Sequence, residues 1–364
     1  MDRFYAYSHA PIPFHFRQTP RDFVVDEIPL YEFSGEGEHL VLHVRKKNLT
    51  TWQMLELIAK HLKIRSRDIG YAGLKDKNAQ TKQYISIHKQ HEEKMKSFEN
   101  DGIKILSKTY HNNKIKIGHL RGNRFFIRLK KVNPTDAQKI GQVLHSIKKF
   151  GIPNYFGFQR FGVEKNNYKI GEEILFNGRK ERNAKLKKMY INAYQSHLFN
   201  LWLSSRLEKS KLISSFEPKE IVDLLNIPED ILTNIKKQQH PFKLLDGDVM
   251  MHYPYGRLYS FEATEEEVER FTCKNVSPTG LLAGKRAQRA TALAHLSEKE
   301  FDFEANVDGA RRYAWIFPED IEGEYKENEA WYELHFSLPK GSYATVLIEE
   351  IAGREIRGDK NESS

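Results

Sequence analysis

Period-two alternation of apolar and polar residues occupies the two ends of this chain and gives way to helical patterning in the middle. "DFVVDEI" is apolar and β-branched, and "HLVLHVRK" sets Leu40, Leu42 and Val44 against His43 and Arg45. Residues 114–119 and 124–130 read as two more strands about a hairpin at "LRGN". Residues 185–240 read as helical, most clearly at "YINAYQSHLFNLWLSSRL". "PFKLLDGDVMMHYPYGRLYSF" then reads as a β-hairpin region with turns at Asp246-Gly247 and Tyr255-Gly256. After about residue 316 strand patterning returns in "WYELHFSL" and, past the turn "PKG", in "SYATVLIEEI". One organisation accounts for this order: the first and last portions share a sheet, and the middle is inserted. Two helices belong to the first portion. Thr50 or Thr51 opens one, with Trp52, Leu55, Ile58, Ala59 and Leu62 as its apolar face. Asn133, Pro134 and Thr135 open the other, which buries Ile140, Val143, Leu144 and Ile147.

A length of 364 residues suits two domains, or one with a large insertion, and 39% hydrophobic residues support a true core. Lys and Arg number 58 against 49 Asp and Glu, a net charge of +9, which favours a polyanionic partner. Mild basicity is also common among proteins that bind no nucleic acid. The one cysteine, Cys273, rules out an intrachain disulfide and a cysteine-based zinc site. The 15 histidines show no His-Glu-x-x-His spacing, so no metal is expected. The N-terminus lacks an apolar signal core and no run of 18 apolar residues exists, so a cytoplasmic protein is expected. Two glycine-bearing loops imitate phosphate loops. "SGEGE" lacks a third glycine and a following helix. In "SPTGLLAGKRAQRA" the glycines are one residue too close, and Arg286 stands where a Ser or Thr would hold magnesium.

Two stretches could carry chemistry. In "YAGLKDKNAQTKQYISI" one carboxylate, Asp76, sits between Lys75 and Lys77. Neighbouring cations favour its ionised form, which can serve as nucleophile or base. Asp76 could equally cap a turn or pair with a lysine. No second carboxylate stands near it in sequence, as a glycosidase pair would need. The cluster Arg65, Arg67, Lys75, Lys77 and Lys82 could contact phosphates around this loop. The second stretch, "GIPNYFGFQRFG", combines three glycines, a proline and four aromatics with Gln and Arg. It suits either base stacking or packing on a core.

"AGLKDKNAQTKQ" closely resembles the signature of the TruD family of tRNA pseudouridine synthases, Gly-x-Lys-Asp-x-x-Ala-x-Thr-x-Gln. Here it runs through Gly73, Lys75, Asp76, Ala79, Thr81 and Gln83. "TPRDFVVDE", "GEGEHLVLHVRKKNLTT", "PNYFGFQRFG", "INAYQSHLFN", "LLDGDV", "PTGLLAGKR" and "FSLPKGSYATVLIEEI" resemble further segments in the family's order. The resemblance implies an α+β fold. A pseudouridine-synthase-like catalytic domain with a mixed sheet flanked by helices would occupy residues 1–179 and 317–364, interrupted by an inserted TRUD α/β domain at 180–316. It implies isomerisation of a tRNA uridine, position 13 of the D arm, to pseudouridine without metal or cofactor. Asp76 would be the catalytic residue. Tyr31, Asn154 and Tyr343 would bind the target nucleotide, both aromatics being tyrosines where well-known bacterial members carry Phe. Phe156 would line the same pocket, Lys75 would bind substrate beside Asp76, and Arg17 stands where relatives often have Lys. No protein partner is implied, and a monomer is expected. The alternative is a non-catalytic RNA-binding protein or RNA chaperone on the same scaffold, for which Asp76 would be dispensable.

Overall fold

A computed structural model of the chain describes residues 3–162 and 164–356. In chain order the elements begin with β1 (Phe23–Pro29), β2 (His39–Lys46), α1 (Thr51–Leu62), β3 (Gly70–Tyr71), β4 (Gln80–His88), α2 (Glu92–Met95), β5 (Ile103–His111), β6 (Leu120–Lys130) and α3 (Pro134–Phe150). The middle holds β7 (Ile152–Pro153), α4 (Asn167–Phe176), α5 (Ala184–Ser215), α6 (Pro218–Leu225), α7 (Glu229–Lys236), β8 (Val249–His252), β9 (Leu258–Ser260), α8 (Glu265–Thr272), β10 (Val276–Leu282) and α9 (Ala292–Glu298). The chain closes with β11 (Ala310–Tyr313), β12 (Trp315–Ile316), β13 (Glu319–Lys326), β14 (Trp331–Pro339) and α10 (Ala344–Ala352). These elements form two compact units. Residues 13–144 and 318–341 make one, and residues 3–12, 145–317 and 342–355 the other.

The first unit is built on an eight-stranded mixed sheet ordered β13-β14-β6-β1-β4-β2-β5, with β3 paired to β4. Only the β1–β4 pairing is parallel. The returning strand pattern at Trp331 is β14, which pairs with β6 along its whole length, so both ends of the chain share this sheet. Leu40, Leu42 and Val44 of β2 and Ile85 and Ile87 of β4 face α1, which buries Met54, Leu55, Ile58, Ala59 and Leu62 against them. Thr50 caps α1: its hydroxyl accepts from Gln53 N at 3.1 Å, and Gln53 Oε1 accepts from Thr50 N at 2.9 Å. Trp52, expected in the apolar stripe, is 51% exposed and lies edge-on to Tyr71, because it stands at the margin of the face that Met54 fills. The expected hairpin at "LRGN" is absent, and residues 114–119 are a loop. β6 runs straight through Gly122, where a Cβ would lie 2.2 Å from Leu338 O, so this glycine admits the neighbouring backbone and makes no turn.

The second unit holds a four-stranded sheet ordered β11-β10-β8-β9 and the short β12–β7 pair. The expected hairpin between residues 249 and 260 is β8–β9. Helix α5 supplies Phe199, Trp202, Leu203 and Leu207 to a core shared with Phe242, Trp315 and Phe317. Gly280 of β10 lets Trp202 approach, since a Cβ there would meet the indole at 2.3 Å. "SYATVLIEEI" is a helix, α10, and not the strand its pattern suggests. Val346, Leu347, Ile348 and Ile351 are all buried, and an apolar run closed in on all sides carries no period to separate strand from helix.

Candidate active site

Six residues of the Asp76 motif form the loop after β3 and the start of β4. Lys75, Ala79, Thr81 and Gln83 are buried, whereas Asp76 opens to solvent. The inward residues fix the loop. Thr51, first residue of α1, accepts from Lys75 N at 2.9 Å and donates its hydroxyl to Gln83 Oε1 at 3.1 Å. The Lys75 ammonium lies 2.7 Å from Glu27 Oε2 and donates to Asn123 Oδ1 at 2.8 Å. Its charge is committed inside the unit, so Lys75 acts on the loop from below and does not reach outward for a phosphate. Lys82 likewise pairs with Asp26 at 3.2 Å, and Arg65 with Asp68 at 3.4 Å.

Sequence reasoning missed Lys46. It ends β2 on the inward register of Leu40, Leu42 and Val44, and it is 0% exposed. Its ammonium donates to the carbonyls of Leu49 at 2.7 Å, Asp76 at 2.9 Å and Lys75 at 3.3 Å, so all three N–H bonds hold the start of α1 and the Asp76 loop together. The signal was a lysine at an inward position of an alternating strand. Burial pushes its pKa down to about 8, as does Lys75, while Asp76 opposes the shift. Lys46→Met should lower stability by about 1–3 kcal/mol by orphaning three carbonyls. Urea denaturation checks this, and a midpoint equal to that of the unaltered protein would refute it.

Asp76 itself is open on one side and enclosed by protein on the others. That enclosure raises its carboxyl above the usual carboxylate range, while Lys46 and Lys75 pull it back. Among the described residues no hydrogen bond or ion pair claims this carboxylate. A desolvated carboxylate beside two cations, free of a structural partner, suits covalent or general-base chemistry.

Tyr31 lies in the same unit. Its hydroxyl is 2.8 Å from His119 Nδ1, and its ring stacks on His111 at 5.0 Å. One face of the ring is therefore occupied, and among the described residues no hydrogen bond or ring contact joins it to the Asp76 loop. Arg17 is exposed ahead of the turn into β1.

Asn154, Phe156 and Tyr343 come together in the second unit. Asn154 prolongs the β7–β12 ladder, donating N–H to Ala314 O at 2.8 Å. Phe156 is held by Asn200, which accepts from its N–H at 2.8 Å and donates to its carbonyl at 3.0 Å. Arg3, paired with Glu349 of α10, donates to the same carbonyl at 2.8 Å. The half-buried Tyr343 ring lies 6.3 Å from that of Phe156 and passes over Gly157, where a Cβ would meet it at 2.7 Å. Glycine in "NYFG" thus makes room for Tyr343. Sequence reasoning also missed Arg312, whose guanidinium lies 3.9 Å from the Phe156 centroid.

The family model described as tRNA pseudouridine synthase D (TruD) matches residues 2–182 and 178–351. The chain belongs to the TruD family. It is 62% identical to the tRNA pseudouridine synthase D of Sulfurimonas denitrificans over 98% of this chain and 100% of that one. It is 56% identical to the Nitratiruptor protein of the same name, over 99% and 100%. For a Helicobacter pylori relative the figures are 48%, over 100% and 98%. A crystal structure described as a TruD protein of Methanosarcina mazei superimposes with a TM-score of 0.63 over 96% of each chain at 20% identity, which establishes a shared TruD fold. Among the described residues no helix is long and apolar enough to cross a membrane.

Proposed function

We propose that this protein isomerises a uridine of tRNA to pseudouridine, at position 13 of the D arm, with Asp76 as the catalytic carboxylate. The observation that carries the reading is the Asp76 carboxyl, enclosed, unclaimed and set by Lys46 and Lys75 in a loop bearing the family signature. The carboxylate attacks ribose C1′, or promotes glycal formation, as the C1′–N1 bond breaks. The uracil turns and C5 bonds to C1′, which expels the Asp76 carboxylate or, on the glycal route, goes with return of the proton taken from C2′. The C5 proton leaves and N1 takes up a proton, so no atom is gained or lost and no cofactor is required. Tyr31, Asn154 and Tyr343 hold the target nucleotide, Phe156 lines the same pocket, and Arg17 adds positive charge. Residues 180–316 are the domain inserted in the catalytic one, a reading supported by the strand that returns as β14 after the helical middle and joins the sheet of the first portion. A tRNA substrate supports a cytoplasmic activity, and a monomer is the expected state.

Incubation with unmodified tRNA transcripts followed by pseudouridine mapping tests the reading. Product at position 13, abolished by a cytidine there, is expected. Product at another uridine would overturn the position, and tRNA binding without product would favour an RNA-binding protein or chaperone.

Phosphate contacts should dominate affinity. Residues 179–188 bear Arg179, Lys180, Arg182, Lys185, Lys187 and Lys188, all exposed, against one acid, Glu181. Binding is expected to weaken linearly in log–log form with salt, by about 0.7–0.9 per phosphate contacted. Filter-binding titrations from low to high salt check this, and a flat dependence would refute it.

A further inference from the structure

Strand β11 carries two successive arginines that anchor it on opposite sides. Arg311 turns one way, to Glu298 Oε2 at 2.5 Å and Thr279 Oγ1 at 3.0 Å. Arg312 turns the other way, to the "NYFG" loop. Its Nε and Nη2 donate to Asn154 O at 3.2 and 3.0 Å, and Nη2 donates to Asn154 Oδ1 at 2.9 Å. Asn154 Nδ2 donates to Tyr313 O at 2.9 Å. The guanidinium lies against two aromatic rings that touch each other, 3.9 Å from the Phe156 centroid and 5.5 Å from that of Phe199. Burial lowers its pKa to about 10, and Tyr343 is near enough to oppose the shift.

An asparagine amide is nearly symmetric in shape, so its neighbours decide which end is oxygen. Arginine can only donate and a backbone carbonyl can only accept, so Arg312 and Tyr313 O together fix the orientation. One lone pair of Oδ1 and one N–H of Nδ2 remain. An amide acceptor and an amide donor are the groups that complement the N3–H and C4=O edge of uracil. We propose that Arg312 is a positioning residue that fixes the Asn154 amide for recognition of the target uracil. The proposal rests on the reading of Asn154 as a nucleotide-binding residue. Lysine would keep the charge but lose the planar fork and the stacking on Phe156.

The test measures single-turnover pseudouridylation at saturating tRNA, together with tRNA affinity, for the unaltered protein, Asn154→Ala, Arg312→Lys, Arg312→Gln and the double variant Asn154→Ala/Arg312→Lys. Arg312→Lys and Arg312→Gln should each slow the saturated rate about a hundredfold, as expected when a reacting group is misplaced. Affinity for tRNA should not change. The double variant should be no slower than Asn154→Ala alone, because both changes remove one interaction. A merely structural arginine would not give that coupling. Arg312→Lys at the unaltered rate, or effects that multiply in the double variant, would overturn the proposal. Loss of the cooperative melting transition in both single arginine variants would overturn it too, making Arg312 a strut of the fold. No product from the unaltered protein would instead sink the functional reading, and an unaffected Asn154→Ala would sink the role of Asn154.

Discussion

Asp76→Asn should abolish pseudouridine formation while leaving tRNA affinity unchanged. The amide keeps the shape of the carboxylate but is a poor nucleophile and a poor base. The loop should survive, because Lys75, Thr51, Gln83 and Lys46 hold its backbone and the Asp76 carboxylate holds nothing. Enclosure raises the Asp76 carboxyl, so ionisation is completed above the pH usual for an aspartate. The reaction needs the ionised form. Its rate should therefore fall as pH drops through this raised value and level off above it. Lys46→Met removes a charge that favours ionisation, so the acid limb should move to higher pH in that variant. Single-turnover rates across pH check both statements. A near-normal rate for Asp76→Asn would end the assignment.

Asp248→Asn should cost about 3–5 kcal/mol, the usual penalty for breaking a buried ion pair from one side. Arg206 and Asp248 are 1% and 3% exposed, so solvent does not screen them. The guanidinium meets both carboxylate oxygens, at 2.6 and 2.8 Å, and also donates to Lys243 O at 3.0 Å. Asp248 Oδ2 accepts from Leu245 N at 2.8 Å, so the pair ties α5 to the turn before β8. Removing the carboxylate charge strands a buried cation stacked 4.8 Å from the Phe242 centroid. Denaturant unfolding should show a lowered midpoint. The double variant Asp248→Leu/Arg206→Met should recover part of the loss, since neither partner is then left unpaired. Stability unchanged in Asp248→Asn would refute the account.

The short-period patterns were legible wherever one face of an element is buried and the other is wet. β6 alternates from Arg124 to Lys130, and β2 and β14 alternate over part of their length, because they lie on a sheet with unlike faces, and a threonine marked the start of α1. The same logic failed for α10, where burial on every side erased the alternation. It failed at Gly122, where the glycine serves a neighbouring strand far away in sequence and not a local turn.

The site divides the same way. Asp76, Asn154, Phe156 and Tyr343 could be named because motifs of contiguous residues carry them. Lys46 and Arg312 could not, although each holds one of those motifs in place. Each lies far in sequence from what it holds, Lys46 30 residues from Asp76 and Arg312 158 from Asn154. The sequence alone determined which carboxylate stands in the signature loop, the alternation that builds the main sheet, and the absence of a disulfide. Tertiary structure alone decided which lysine is outward and which is buried, which end of the Asn154 amide is oxygen, and that Lys75 is spent on Glu27. Those outcomes depend on desolvation and on hydrogen-bond partners brought in from distant elements, and local pattern encodes neither.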